Sequence, residues 1–587
     1  MKLQDCIDID KEKEKEKEKK KQKIIISKIK TNSKYLDEIN QTLHNKGVDF
    51  NERYKIIMDI LLKKNTINAN NSDDVIIDTE TIEMIDNTLK RVSINTHEIY
   101  QMVFMFFGNK YFKRQMDQYY TPITICNFIC SLLHPNKKAI EPACGTGDLL
   151  NYYKGKLTLC DMSKEVLIIT TFISKNINNN ANIRPACNSL KDLDDQLKKY
   201  TYCVMNPPFG CKTVVTDKEI LNKYKLGKDQ EKVEVGILFI ELGLNLLKKD
   251  GVLFAIVPNG YLGNITSRCI QLRKLIIENY RLIGVVKLPD NSFKRSGTGV
   301  ATSILIVQNK KMDPNTDYSI FIHDVKQIGY ILNKKNTPIK YKMDNKGYYI
   351  GDSNNTPIVD NDLLETTSLF HNFVSASKIR GLKGKKNSKY KYEKMYRNEL
   401  GENLIFDIKR YLKVYKDVVQ ECQNHNYKTI GDYCDANSNF NFKRTNSKYK
   451  YIDIRSVNTP MYKYNTLSVN ELPSRAKYQV QKNDIIISKL KGKISFAIIT
   501  QDMNNLVVSN GFTVLRPTNE TSLVTIFANL FDKSFKIQHQ SMVTGSIMET
   551  LSDEDIKKIY IKDDIDANKY NNIIDSIKAL NDELQDL

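Results

Sequence analysis

Between about residues 136 and 310, short apolar runs alternate with helix-length amphipathic pieces, and this alternation limits the fold more than any other feature of the sequence. The runs LTLC (157–160), YCVM (202–205), VLFAIVP (252–258), IGVVKLP (283–289) and TSILIVQ (302–308) have the length and composition of strands, whereas ILFIELGLNLLKK (237–249) has the length of a helix. Such alternation has one common solution, a doubly wound α/β sheet with helices on both faces. Ligands of these sheets sit at the carboxyl ends of the strands, so chemistry is sought there.

The 587 residues exceed a single core and suggest about three or four folding units. Residues 1–30 read as a charged low-complexity tail, in which KEKEKEKEKKKQK (11–23) has no apolar face to bury. Residues 31–118 read as a helical domain, with Ile56, Ile57, Ile60 and Leu61, and again Ile99, Val103, Phe106 and Phe107, at helical spacing. The α/β domain is expected over 119–375, a linker and spacer helix over 376–426, an α+β domain over 427–566 and a last helix over 567–587. No run approaches the length of a membrane span, and the charged start excludes a signal peptide, so a cytoplasmic chain with no membrane partner is expected. The eleven cysteines form no CxxC pair, and no metal site is expected. A net charge of +20 fits a polyanionic partner, although an AT-rich coding sequence gives the same Lys/Asn/Ile bias.

Two constellations carry chemistry. In AIEPACGTGDLL (139–150), Gly145 and Gly147 allow backbone to approach a ligand, and Asp161, after the next strand, can accept from ribose hydroxyls. A plain strand-to-helix turn would look similar. The second is NPPF (206–209), about sixty residues further on and directly after a strand. Its prolines remove two amide donors and stiffen the backbone, so the Asn206 side-chain oxygen and the Pro207 carbonyl can be paired acceptors for an exocyclic amine. Pro208 completes the rigid turn, and Phe209 supplies a flat face for a base.

The pair EPACGTGD and NPPF resembles the N6-adenine DNA methyltransferases of type I restriction-modification M subunits and the related fused type II enzymes. The likeness extends over roughly residues 90–375. HEIYQMVFMFFGNKYFKRQMDQYYTP (97–122) is similar to the helix and (F/Y)YTP motif, LPDNSFKRSGTGVATSILIV (288–307) to the family's later motif, and FIHDVKQIGYILNK (321–334) and NDL (361–363) to stretches that follow the catalytic domain. The resemblance implies an S-adenosylmethionine-dependent methyltransferase (Rossmann-like) domain with S-adenosyl-L-methionine as cofactor. The cofactor would be held by Tyr120, Thr121, Pro122, Glu141, Ala143, Gly145, Gly147, Asp161, Asn188 and Asn206. It further implies a catalytic group of Asn206, Pro207, Pro208 and Phe209, with Phe293 facing the flipped base beside Phe209. Asn188, in ACNSLKD (186–192), replaces the acidic residue that usually contacts the cofactor's adenine.

YKTIGDYCD (427–435), YIDIRSVN (451–458), YQVQKNDIIISKLKGKISFAII (478–499), VVSNGFTVLRP (507–517) and TGSIMETLSDEDIKKIYI (544–561) are similar to a target-recognition domain of the specificity (S) subunits. That implies double-stranded DNA as partner, with Arg475, Lys489, Lys491 and Lys493 as candidate DNA-binding residues, although solvated surface lysines look alike in sequence. In the last helix Ile573, Ile577, Leu580, Leu584 and Leu587 are spaced as a coiled-coil seam, to pair with Ile408, Tyr411, Tyr415, Val418 and Cys422 or with a second copy. No nuclease constellation is visible, which leaves room for a separate nuclease subunit. The competing readings are a methyltransferase acting on RNA or a protein glutamine, since NPP suits any planar NH2, and a DNA-binding protein with a decayed catalytic site.

Overall fold

The computed structural model describes residues 121–586 apart from 150–152, 178–180, 209–212, 295–297, 334–338, 388, 390, 437–441, 443 and 547–548. Before residue 121 it describes 18–26, 35–49, parts of 52–60, and 78–90. Two compact units are distinguished: Met1–Pro258 with Ile270–Tyr392 and Tyr396–Glu399, and Asn259–Cys269 with Glu393–Met395 and Leu400–Leu587.

The first unit is built on a sheet whose strands are β1 (Lys138–Glu141), β2 (Lys156–Leu159), β3 (Ala181–Ile183), β4 (Tyr200–Met205), β5 (Leu247–Pro258), β6 (Arg281–Lys287), β7 (Thr302–Gln308) and β8 (Ser319–Asp324). They lie side by side in the order β8-β6-β7-β5-β4-β1-β2-β3. All are parallel except β7, which runs antiparallel to both β5 and β6. The reversal is the main departure from the doubly wound reading, and it has a local cause: the described residues of 288–301, between β6 and β7, contain no crossover helix. Without a crossover a strand returns antiparallel.

β4, β6 and β7 are buried at every residue, which is why they read as unbroken apolar runs. Helices α1 (Ile123–Leu132), α2 (Lys164–Ile177), α3 (Val235–Leu246) and α4 (Leu363–Ala376) accompany the sheet. Ile125, Phe128, Ile129 and Leu132 of α1 join Phe370 and Phe373 of α4 and Tyr202, Val204, Phe254 and Ile306 of the strands in one core. A side chain at Gly243 of α3 would stand 2.3 Å from the Met205 methyl and 2.8 Å from a Leu253 methyl, so glycine lets α3 lie against the sheet without moving these side chains. Ahead of the sheet, helix occupies 35–45 and Thr79–Lys90, and Ile57 and Ile60 are buried. Leu61 and the stripe Ile99, Val103, Phe106 and Phe107 lie outside the described residues. Part of the charged tail is helical: Gln22 exchanges two hydrogen bonds with the backbone of Tyr349.

The second unit contains β9 (Cys434–Ala436), β10 (Lys448–Ile452), β11 (Asn465–Ser468), β12 (Ala476–Gln479), β13 (Ile485–Ser488), β14 (Phe496–Ile498), β15 (Leu506–Ser509) and β16 (Phe512–Pro517). They form two four-stranded sheets, ordered β9-β16-β13-β14 and β11-β10-β15-β12. Helices α5 (Lys413–Asn424), α6 (Glu520–Asn529), α7 (Lys533–Met542) and α8 (Ala567–Asp586) flank them. The expected pairing of α5 with α8 is corrected here: α5 packs chiefly on α7, and α8 on α6. α8 buries Ile574 and Ile577 in the unit's own core while Leu580 stays half exposed, so this face is core rather than a seam; Leu584 and Leu587 are not described. Among the described residues no helix is long and apolar enough to cross a membrane.

Candidate active site

Three neighbouring parallel strands deliver three polar side chains to one edge of the sheet. β1 ends on Glu141, β2 stops two residues short of Asp161, and β4 stops one residue before Asn206. The edge is the carboxyl one, and β1 is where the strand order reverses, the usual position of a ligand crevice.

The loop after β1 turns through Gly145 (φ 49°) and Gly147 (φ 74°), both in the left-handed region. A side chain at Gly145 would meet no atom within 4 Å, so the turn is free of crowding and open to a ligand. Its shape is held from three sides. The Asp161 carboxylate accepts from the Gly145 amide at 3.0 Å with one oxygen and from the Ser163 amide at 3.0 Å with the other. The buried Thr170 hydroxyl donates to the Gly145 carbonyl at 2.6 Å, and Ser189 donates to the Pro142 carbonyl at 2.5 Å. Thr170 and Ser189 gave no signal in the sequence, because nothing in local spacing says that α2 and the 184–189 segment reach this loop.

Glu141 is 2 % exposed, and its Oε2 has no hydrogen-bond partner among the described residues. Burial pushes its carboxyl well above the usual carboxylate range, and the nearby Asp148 and Asp161 push it further. Burial also raises Asp161, against the backbone amides that hold its charged form. Three clustered carboxyls, those of Glu141 and Asp148 buried, favour a cationic ligand. Asp148 was not singled out in the sequence, although it lies within the same motif.

Asn206 is fixed from the other side. Its Nδ2 donates to Oγ1 of Thr121 at 3.0 Å, which joins the residue after β4 to the buried threonine that precedes α1. Pro122 is the N-cap of α1, Ala143 and Pro208 are half-buried, and Pro207 is buried. Tyr120 and Phe209 lie outside the described residues.

Three sequence expectations meet a different environment. Phe293 has no exposed surface and packs in the sheet core, so in this structure its ring faces no base. Asn188 caps the short helix Ser189–Asp192, with its side-chain oxygen accepting from the Leu190 amide at 3.1 Å, so that oxygen is already engaged. Lys489 is turned into the second unit, 2.8 Å from Asp553 and over the Tyr478 ring; a half-buried lysine with its own carboxylate is structural. By contrast Arg475 and Lys493 are exposed, and Lys491 pairs with Glu549 at 2.7 Å. Among the described residues no group of His, Cys, Asp and Glu could hold a metal ion.

A parallel sheet with one reversed strand, a glycine turn after β1 and an acidic residue after β2 define an S-adenosylmethionine-dependent methyltransferase fold. Residues 96–346 match the family described as N-6 DNA Methylase. No curated protein matches the chain. It is similar to solved structures that include a class I S-adenosylmethionine-dependent methyltransferase from Listeria monocytogenes (19% identity, 53% of this chain and 95% of that one, TM-score 0.38). A type I restriction-modification methyltransferase subunit from Streptococcus thermophilus is another (15%, 65% and 80%, 0.41), as is the type IIG restriction endonuclease BpuSI (12%, 93% and 72%, 0.45). The cofactor of the domain is S-adenosylmethionine. The site suits it: the open glycine turn admits its adenosine part, and the buried acceptor on Glu141 matches a cation that carries both an ammonium and a sulfonium charge.

Proposed function

We propose that the chain is a site-specific DNA methyltransferase that transfers a methyl group from S-adenosylmethionine to the N6 amine of an adenine flipped out of duplex DNA, and that it belongs to, or derives from, a restriction-modification system. The observation that carries this reading is the bond from Asn206 to Thr121. It commits an N–H of the Asn206 amide to the protein and so fixes the orientation of the amide whose oxygen we assign as acceptor for a substrate amine.

When bound, S-adenosylmethionine supplies an electrophilic methyl group on a sulfonium. Asp161 and the Gly145 turn would hold the adenosine part, Glu141 would meet its positive charge, and the Asn188 Nδ2 hydrogens would be the donors offered to the adenine, since the Asn188 oxygen caps a helix. Adenine's amine is a weak nucleophile because its lone pair is delocalised into the ring. Asn206 Oδ1 and the Pro207 carbonyl each accept one amine hydrogen, which favours a tetrahedral nitrogen with its lone pair directed at the methyl group. Alignment of this kind can lower a barrier by roughly 7–11 kcal/mol, so no strong base is required. Flipping the base costs a few kcal/mol, and stacking on Phe209 returns roughly 1–3 kcal/mol. We assign base readout to the second unit, with Arg475, Lys491 and Lys493 on phosphate or bases.

Asn206→Ala tests the reading. Methyl transfer to duplex DNA is expected to fall by more than about tenfold while cofactor affinity by calorimetry is kept, since a lost transition-state contact appears in kcat. A variant that retains transfer removes Asn206 from the reaction.

A further inference from the structure

The turn Asn510–Gly511 passes from one sheet of the second unit to the other, joining β15 to β16. The register brings the ends of neighbouring strands to the same edge. Ser509 stands opposite Ala476 at the start of β12, Val508 opposite Ile452 at the end of β10, and Phe512 opposite Ser488 at the end of β13. Four loops therefore converge there, 453–458, 473–475, 489–495 and 509–511. Together they carry five basic residues and one acidic, Asp453, and an edge of that charge suits a polyanion.

Backbone bonds fix the convergence. The Asn510 amide donates to the Arg475 carbonyl at 2.7 Å, and the Lys489 amide donates to the Gly511 carbonyl at 2.9 Å. The Gly511 amide donates to the Ser509 hydroxyl at 3.2 Å. A Cβ at Gly511 would stand 2.6 Å from the Cδ1 methyl of Ile454, so the turn also backs onto the first of the four loops. The Asn510 backbone is thus braced, whereas its side chain is exposed and has no hydrogen-bond partner among the described residues. Arg475 beside it is exposed and oriented. One oxygen of Asp453 accepts from the Arg455 and Ser456 amides at 2.9 and 3.0 Å, and the other lies 3.6 Å from the Arg475 guanidinium.

We propose that Asn510 and Arg475 read bases in the major groove of the recognised duplex, Asn510 an adenine and Arg475 a guanine, while Lys493 meets phosphate. The proposal rests on the assignment of base readout to the second unit and names the residues that perform it. A primary amide presents an acceptor and a donor side by side, which matches N6 and N7 of adenine, and a guanidinium matches O6 and N7 of guanine. Asp453 decides between base and phosphate for Arg475: it meets part of the arginine's charge and would repel an anion, so the neutral acceptors of a guanine suit this side chain better. Lys493 has no such neighbour to satisfy it, and its ammonium is a point charge without a paired geometry. Asn-Gly is by itself an ordinary turn dipeptide. What sets this one apart is the oriented arginine next to it and the bracing of both backbones, since a group that discriminates bases must be positioned before the base arrives.

The full-length chain and its variants Asn510→Ala, Arg475→Ala and Arg475→Lys are each equilibrated with a pool of duplexes of random sequence, and the bound duplexes are sequenced. Affinity for one selected duplex is then measured at several salt concentrations. Asn510→Ala is expected to relax the selected sequence at a single A·T position, to lower affinity for the selected duplex by roughly 5- to 150-fold and to leave the salt slope unchanged. Arg475→Ala should do the same at a single G·C position, and Arg475→Lys should not restore it, because an ammonium cannot make the paired contact. Unfolding midpoints should match that of the unaltered chain, since both side chains are exposed. The proposal is overturned if the variants select the same full sequence, or if affinity falls equally for all duplexes with a salt slope lower by about 0.9, which marks a phosphate contact. If the unaltered chain binds duplexes without selecting a sequence, the assignment of readout to the second unit fails and the proposal falls with it. A selective chain with equally selective variants sinks the proposal alone, and because the measurement is of binding, neither result depends on methyl transfer.

Discussion

Nδ2 of Asn206 donates to Oγ1 of Thr121 at 3.0 Å, and this bond orients the asparagine amide. Thr121→Val keeps the shape and removes the acceptor, so the amide loses its orientation. A misplaced catalytic group costs on the order of 10²-fold, so kcat should fall by about that factor while cofactor affinity changes little. Thr121→Ser, which keeps the hydroxyl, should recover most of the rate. If Thr121→Val instead raised the KM for S-adenosylmethionine at constant kcat, Thr121 would be a cofactor contact rather than a positioning residue.

Asp161 joins the cofactor loop to β2 through Gly145 and Ser163. Removing an ionised acceptor from backbone amides costs roughly 1.5–3 kcal/mol, and Asp161→Ala should lose cofactor affinity by roughly 10- to 100-fold. Asp161→Asn, which keeps one acceptor oxygen, should lose less. Equal affinities for the three chains in a titration would place the adenosine elsewhere.

Glu141 gives a pH signature. Its carboxyl protonates well above the usual range in the free protein because of burial and then Asp148 and Asp161, and a cationic ligand favours the ionised form. Cofactor binding therefore releases a proton, and affinity should rise with pH through and above the ordinary carboxylate range. The free protein behaves in the opposite sense. A carboxyl whose folded value is raised contributes stability below its unfolded value, and that stability is lost as pH rises toward the folded one. Glu141→Gln should flatten both profiles, and calorimetry across pH with and without cofactor reads both.

His539 is buried, with Nε2 against the Ser488 carbonyl at 3.2 Å, and burial pulls its pKa down to about 4. A depressed histidine leaves stability intact above the unfolded value and removes it as pH falls toward the folded one. The second unit should therefore lose up to roughly 3 kcal/mol between about pH 6.5 and 4. The midpoint of thermal unfolding over that window checks it, and His539→Gln should flatten the dependence.

Two of the three lysines assigned together to DNA separate in the structure. Lys489 is committed to Asp553 while Lys493 is exposed. Lys493→Ala should weaken duplex binding and lower the slope of log affinity against log salt by about 0.9, without a change in stability. Lys489→Ala should lower the unfolding midpoint and leave the salt slope alone. The reverse pattern would contradict the assignment.

The parallel strands were legible because strands buried on both faces must be apolar throughout, as β4 and β6 are. Gly145, Asp161 and Asn206 were legible because a turn, a strand end and a stiffened acceptor each require a residue type at a fixed place. The reversal of β7 was not, since an apolar strand carries no mark of its direction. Nor were Phe293 and Lys489: an aromatic after LP and a lysine in a basic run look the same whether they face a ligand or the core. The α8 stripe failed for a related reason, because spacing of three and four describes a face without naming what covers it.

The central claim is the atom that receives the methyl group. Purified chain is incubated with isotopically labelled S-adenosylmethionine and duplex DNA carrying many sequences, and the DNA is digested to nucleosides and analysed by mass spectrometry. The account predicts label in N6-methyladenine alone, abolished by Asn206→Ala and clustered at a defined sequence when the DNA is mapped. Label in a cytosine nucleoside, in RNA or in protein instead, or none from a chain that binds both cofactor and duplex, would contradict it.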